Sequence, residues 1–285
     1  MQINKFVCPV TGENAEFYCQ KEQAIYLKSK YTNVIFLQNM PVSQAMQDYV
    51  DEAYEHGVYQ DYIKAKDLKL LTADVRLNQI EKFTPGKKML DVGCSAGFFM
   101  QQAQLRGFDV TGIEFSIKAI DQADLSIKHK IMHGEVQQAI HQWQGTLDIV
   151  CAFDIIEHMQ DPANLTRHLY AALKEGGLLV LSTPDTSHYL RYLMRSKWPM
   201  LQPLQHMVLF SKKAMKRMLL AQGFRDVITQ PTYKYLSFDY LAKQLKKSNK
   251  LIYKIMSVIG RLLPKKITRH RFAINIGEFI VFARK

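Results

Sequence analysis

Apolar positions along the chain fall into two rhythms. Short continuous runs near residues 88–92, 109–113, 129–133, 147–152 and 177–182 predict buried strands. Between them, near 97–106, 116–124, 135–143 and 162–174, apolar residues return at helical spacing. The punctuation agrees: Asp161-Pro162 supplies an N-cap and a first-turn proline, Gly176 a stop, and Ser211 caps a helix that Gly223 ends. A sixth strand is predicted from Val227 to Tyr235, and a last one over 277–283. Residues 1–40 read as a small β-rich lead-in. Residues 43–56 and 59–83 have helical pattern up to Thr84-Pro85-Gly86. Strand–helix alternation predicts an α/β fold with a mainly parallel, doubly wound sheet, which binds ligands at the carboxyl ends of its strands.

A different pattern occupies 241–263. At about 100° per residue, Leu241, Leu245, Ile252, Ile255, Met256, Ile259, Leu262 and Leu263 share a stripe. Lys243, Lys246, Lys247, Lys250, Lys254 and Arg261 fall opposite. Pro264 ends the pattern, and Ser248-Asn249 is a candidate break within it. Such a helix is either a lid packed on the protein or an interfacial helix on an anionic membrane.

Charge sharpens this contrast. Residues 1–185 hold 17 Lys and Arg against 23 Asp and Glu, a balance of −6; residues 186–285 hold 21 against 3, a balance of +18. The basic third calls for an anionic substrate, a membrane surface or a nucleic acid. At 285 residues and 47% apolar, one large domain with additions is expected. No leader pattern and no apolar run of spanning length is found. Cys94 and Cys151 at predicted strand ends suggest a reducing, cytoplasmic setting, and the basic span 241–271 suggests a place peripheral to the inner membrane surface. Cys8-Pro9-Val10-Thr11-Gly12 is half a zinc ribbon at best. Thr11 replaces the second cysteine and only Cys19 follows, so no metal is assigned and a hairpin turn is expected.

The chemistry starts at Leu90-Asp91-Val92-Gly93-Cys94-Ser95-Ala96-Gly97-Phe98-Phe99, a buried strand passing through small residues into a helix. The turn brings backbone close to a ligand, and the helix start offers free N–H groups. A second strand ends in Glu114, where a carboxylate can accept both hydroxyls of a ribose. Ser95 and Phe98 break the dinucleotide fingerprint, and no Gly-Lys-Ser/Thr follows for a P-loop. Asp91-x-Gly93-x-x-x-Gly97 instead resembles the first motif of class I S-adenosylmethionine-dependent methyltransferases. The resemblance runs on through His133-Gly134-Glu135, the stretch Leu147 to Pro162, Gly176 to Pro184 and His206 to Ser211. It is to the small-molecule type of ubiquinone biosynthesis and polysaccharide tailoring, over roughly residues 40–285. Ser95 departs from the glycine of many relatives.

That resemblance implies a Rossmann-like seven-stranded sheet with its last strand antiparallel. It also implies a division into the lead-in (1–40) and a methyltransferase domain (41–285). Within the latter, 41–84 would cover the cofactor, with Tyr54, Tyr59 and Tyr62 as candidate lining, and 185–270 would form the acceptor and lid region. S-adenosyl-L-methionine would be held by Asp91, Gly93, Cys94, Ser95, Gly97, Glu114, Phe115, Glu135, Phe153 and Asp154. His158, just past the fourth strand, is the candidate base, and His206 a second candidate. Histidine needs little tuning to accept a proton near neutrality. The expected reaction is O-methylation of a small-molecule, glycan or lipid-linked acceptor, with an anionic membrane contact through 241–271. A nucleic-acid methyltransferase has only the basic tail in its favour. It lacks an Asn/Asp-Pro-Pro-aromatic motif or a Pro-Cys nucleophile after the fourth strand, and Asp154-Ile155-Ile156-Glu157 there would repel phosphates. A non-catalytic binding module is the third class, opposed by the intact loop and Glu114.

Overall fold

The computed structural model describes residues 6–41, 49–52, 58–248 and 250–285. In chain order the elements are β1 (Ala15–Lys21), β2 (Ala24–Ser29), β3 (Ile35–Leu37), α1 (Val58–Lys64), α2 (Lys66–Ile80), β4 (Lys88–Val92), α3 (Phe98–Leu105), β5 (Asp109–Glu114), α4 (Ile117–Asp121), α5 (Leu125–Lys128), β6 (Ile131–His133), α6 (Val136–Ala139), β7 (Leu147–Phe153), α7 (Pro162–Ala172) and β8 (Leu173–Pro184). Then come α8 (Tyr189–Met194), β9 (Val208–Leu209), α9 (Lys212–Ala221), β10 (Arg225–Pro231), β11 (Lys234–Ser237), α10 (Phe238–Ser248), α11 (Lys250–Leu262), α12 (Lys265–Thr268), β12 (Arg271–Ile274) and β13 (Glu278–Arg284).

The main sheet has seven strands in the order β10-β13-β8-β7-β4-β5-β6. Strands β6, β5, β4, β7 and β8 run parallel, and β13 lies antiparallel to both β8 and β10. This is the Rossmann-like sheet expected from the sequence. Its middle strands are largely apolar because helices cover both faces; Leu90, Val150, Val180 and Val281 are fully buried. Asp161 accepts from Asn164 N–H at 2.9 Å and Ser211 from Ala214 N–H at 3.1 Å, so both predicted caps are formed.

The sixth strand differs from the sequence expectation. It stops at Pro231, and β11 leaves the main sheet to pair antiparallel with β12. Residues 232–277 are thus an excursion between two neighbouring strands, carrying α10, α11 and α12. The excursion is pinned to α2: Tyr235 N–H donates to Thr72 Oγ1 at 2.9 Å, and Arg271 pairs with Asp67 at 2.8 Å. The lead-in strands form a second sheet, β1-β2-β3-β9, whose last member comes from beyond β8. Gly12 N–H donates to Cys8 O at 3.0 Å, closing the expected turn. The helix predicted over 43–56 falls largely outside the described residues, as do Tyr54 and the Tyr59 side chain.

Candidate functional site

The turn after β4 is held tightly. Gly93 has φ +69°, and a Cβ there would run into Ile155 Cδ1. Ser95 also takes a left-handed φ of +53°. Such strain persists where surrounding structure imposes it. Here Ser95 N–H donates to Glu114 Oε2 at 2.8 Å, while Ser116 N–H donates to Oε1 at 2.9 Å. Glu114 therefore anchors the turn and still has lone pairs for a ribose. Burial raises its pKa against the pull of those amides. Asp91 is buried at the end of β4, and burial pushes its pKa up to about 8 despite the Arg76 charge. No cation among the described residues pairs with it. A carboxylate left this way suits a positively charged ligand. Tyr62 of α1 stacks on Phe98 at 5.6 Å and hydrogen-bonds Ser95, closing the turn from above.

Beyond β7 lies a charged network. Arg76 packs 4.1 Å from the Phe153 ring and reaches Asp154 at 3.4 Å. Lys234 bridges Asp154 at 2.9 Å and Glu278 at 2.7 Å. Ser182 Oγ donates to Asp154 at 3.0 Å. Burial opposes ionisation of Asp154, but Lys234 and Arg76 overcome it and hold the carboxyl far below its ordinary range. Arg76 is itself buried and keeps an Nε–H with no acceptor among the described residues.

Next to this network, Glu157, His158 and His206 bring one ligand atom each to within 4.8 Å of one another. The two rings meet edge-on at 5.0 Å. His158 Nδ1 contacts Gln205 O at 2.8 Å and His206 Nδ1 contacts Met200 O at 2.7 Å. A carbonyl only accepts, so each Nδ1 carries the proton and each lone pair lies on Nε2. Burial lowers the pKa of both rings, His206 to about 3 with help from His158. Burial and Asp154 raise that of Glu157, whose carboxyl accepts from Thr183 Oγ1 at 3.0 Å. The lead-in sheet fixes this cluster: Met207 N–H donates to Glu157 O and Leu37 N–H to Met207 O. Three neutral-leaning acceptors, with both rings oriented by backbone carbonyls, also fit a divalent cation. The sequence reading assigned no metal to them.

Residues 63–229 match the family model described as a methyltransferase domain, more than half of the chain. The chain belongs to that family. Among curated relatives of this methyltransferase are the ubiquinone biosynthesis O-methyltransferases of Psychrobacter cryohalolentis, 33% identical over 136 residues (45% of this chain, 49% of the relative), and of Pseudomonas aeruginosa, 29% identical over 116 residues (38% and 50%). The chain spans about half the length of the curated relatives it matches. Among solved structures, a SAM-dependent methyltransferase from Archaeoglobus fulgidus superposes with TM-score 0.54 at 18% identity, covering 84% of this chain and 99% of that one. Haemonchus contortus phosphoethanolamine N-methyltransferase 2, in complex with S-adenosyl-L-methionine, superposes with TM-score 0.52 at 16% identity, covering 92% and 63%. These likenesses establish the class I methyltransferase fold.

In the methyltransferase, the residues named from sequence separate into groups. Asp91, Gly93, Cys94, Ser95, Gly97 and Glu114 come together around the β4–α3 turn. Phe115 packs partly buried against Val50 and Ala119, and Glu135 stands exposed at the head of α6. Phe153 and Asp154 sit at the end of β7, engaged by Arg76. His158 and His206 share one cluster, which the sequence reading treated as two separate candidates. It missed Arg76, Lys234 and Glu278, and read Glu157 only as part of an acidic stretch that repels phosphates, not as a site residue. Thr72 and Arg76 lie four apart on α2, so a polar stripe on that helix was the available signal.

Proposed function

We propose that this methyltransferase transfers the methyl group of S-adenosyl-L-methionine to an oxygen of a small-molecule acceptor. The buried, cation-free carboxylate of Asp91 beside the Glu114-anchored turn carries this reading. Asp91 suits the donor's ammonium, Glu114 its ribose hydroxyls, and Phe115 and Glu135 the adenine end. The donor supplies an activated methyl group for in-line displacement. The chain aligns the acceptor and removes its proton. His158 Nε2 is the base: its proton-free form dominates at pH 7 because burial lowers its pKa. The ubiquinone biosynthesis O-methyltransferase relatives support oxygen as the methylated atom.

A second reading of the acceptor chemistry is favoured by the Glu157, His158 and His206 cluster. A divalent cation there would lower the pKa of an acceptor hydroxyl and so replace a protein base.

We further propose that α11 docks on an anionic membrane surface, which suits a lipid-linked acceptor. Ile255, Ile259 and Leu262 of the apolar stripe, with neighbouring Val258, are 53, 42, 80 and 58% exposed, while Leu241, Met256 and Leu263 are half-buried, so the outer part of the stripe is uncovered. No helix among the described residues is long and apolar enough to cross a membrane.

Calorimetry with S-adenosyl-L-methionine tests the core of the reading. Wild type should bind, and Glu114→Ala should weaken binding by about 2 kcal/mol, the loss of hydrogen bonds to a charged group. Folded wild type that binds no donor would overturn the methyltransferase function.

A further inference from the structure

One cation over the site has no partner. Lys69 lies on α2, seven residues before Arg76 and so on the same helix face. Its Nζ sits 4.5 Å from the centre of the Tyr62 ring and 5.0 Å from that of Tyr240. Tyr62 belongs to α1 and closes the donor turn; Tyr240 belongs to α10, in the excursion between β10 and β13. Lys69 is thus clamped where the cofactor-covering helices meet the acceptor region. No carboxylate among the described residues pairs with it. The nearby charges are already matched: Arg76 and Lys234 stand against Asp154 and Glu278. Lys69 is left as a third cation against the two acids acting on it, Asp154 and Glu278. Burial, then Lys234 and Arg76, lower its pKa to about 7. An ammonium held between aromatic rings, half-buried and short of an anion, gains most from a bound carboxylate or phosphate.

We propose that the acceptor carries an anionic group, a carboxylate or phosphate, and that Lys69 receives it between Tyr62 and Tyr240. The inference rests on the methyltransferase reading above. It makes Lys69 a specificity-determining residue, setting which hydroxyl compounds are held with their oxygen near the transferred methyl. The same anion chemistry has a second source, the α-carboxylate of the donor itself, and the experiment separates the two.

Benzoate and benzamide serve as probes of equal shape, because benzoate stays ionised across the working pH range. Each is titrated calorimetrically into the complex with S-adenosylhomocysteine. Benzoate should bind at least ~10-fold more tightly than benzamide. Lys69→Gln should erase that difference, while Lys69→Arg should keep most of it; S-adenosylhomocysteine affinity should stay within about twofold in both. Tyr62, Tyr240, Arg76, Lys234, Asp154 and Glu278 are the titratable groups facing Lys69. None is changed in these variants. Since bound anion favours the ammonium, benzoate affinity should fall as pH rises above about 7, with proton uptake. Benzoate binding no tighter than benzamide, or a preference that survives in Lys69→Gln, overturns the proposal. A ~10-fold loss of S-adenosylhomocysteine affinity in Lys69→Gln also overturns it, because the anion is then the donor's carboxylate. Failure of wild type to bind S-adenosylhomocysteine at all would instead sink the methyltransferase reading.

Discussion

Asp91 shows how burial prepares a residue for its ligand. Its carboxyl, with a pKa of about 8, is protonated in most molecules at pH 7. A donor ammonium beside it demands the ionised form. Donor binding at pH 7 should therefore release close to one proton, and affinity should rise with pH until about 8. Calorimetry in buffers of different ionisation enthalpy measures that proton directly; uptake, or no exchange, would show that Asp91 does not meet the donor's charge. His158 is the second residue-scale question. As base, His158→Ala should lower kcat by ~10²–10⁴-fold with donor affinity unchanged. Activity should climb with pH only below the ordinary histidine range, since burial lowers its pKa, and be flat above neutrality. His206→Gln should then cost far less. Equal losses in His158→Ala, His206→Gln and Glu157→Gln, together with inactivation by a chelator and recovery on adding a divalent cation, would favour the cation reading.

Element by element, what local chemistry determines was legible. The parallel strands β4, β5, β7 and β8 carry apolar runs because both faces are covered, and the helix N-caps are local signals; Gly176, read as the stop of α7, lies instead inside β8, which begins at Leu173. The β4–α3 turn and Glu114 were visible for the same reason: the small residues and the acid lie within one strand–helix–strand unit. What escaped depends on distant segments. Strand β10 ends at Pro231 because β11 finds a partner in β12, some forty residues later, and no local pattern announces that pairing. The charged network and the histidine cluster are likewise assembled from five separate stretches. Lys69 and Arg76 come from α2, Asp154 and Glu157 from the end of β7, His206 from the approach to β9, and Lys234 and Glu278 from the two ends of the excursion. Each is an unremarkable polar residue in its own stretch. Only the sheet's crossover connections bring them within hydrogen-bond reach, and only burial then sets their protonation. His158 and His206 were picked out singly for that reason, while their meeting at 5.0 Å belongs to the tertiary structure.

At the scale of the molecule, charge and apolar exposure point the same way. The C-terminal hundred residues carry a balance of +18, and the span 241–271 contains ten Lys and Arg with no acid. In that span Lys254, Arg261, Lys265 and Lys266 are exposed close to the uncovered Ile255, Val258, Ile259 and Leu262. An exposed apolar stripe flanked by cations gains from an anionic lipid surface twice, through burial of the side chains and attraction of the charges. The excursion also supplies Lys234 and Tyr240, so a surface contact there places the acceptor side of the site next to the bilayer. The protein should co-sediment with vesicles containing anionic lipid and poorly with neutral ones. Binding should weaken as salt shortens the reach of the charges, to about 10 Å at 0.1 M. Replacing Lys254, Arg261, Lys265 and Lys266 with glutamine should abolish it, and Leu262→Ser with Val258→Ser should weaken it at every salt concentration. Donor affinity should be unchanged in both variants, since none of these residues touches the β4–α3 turn. Sedimentation that is equal with both lipid compositions, or absent with either, would leave the uncovered stripe to another partner and detach the acceptor from any lipid.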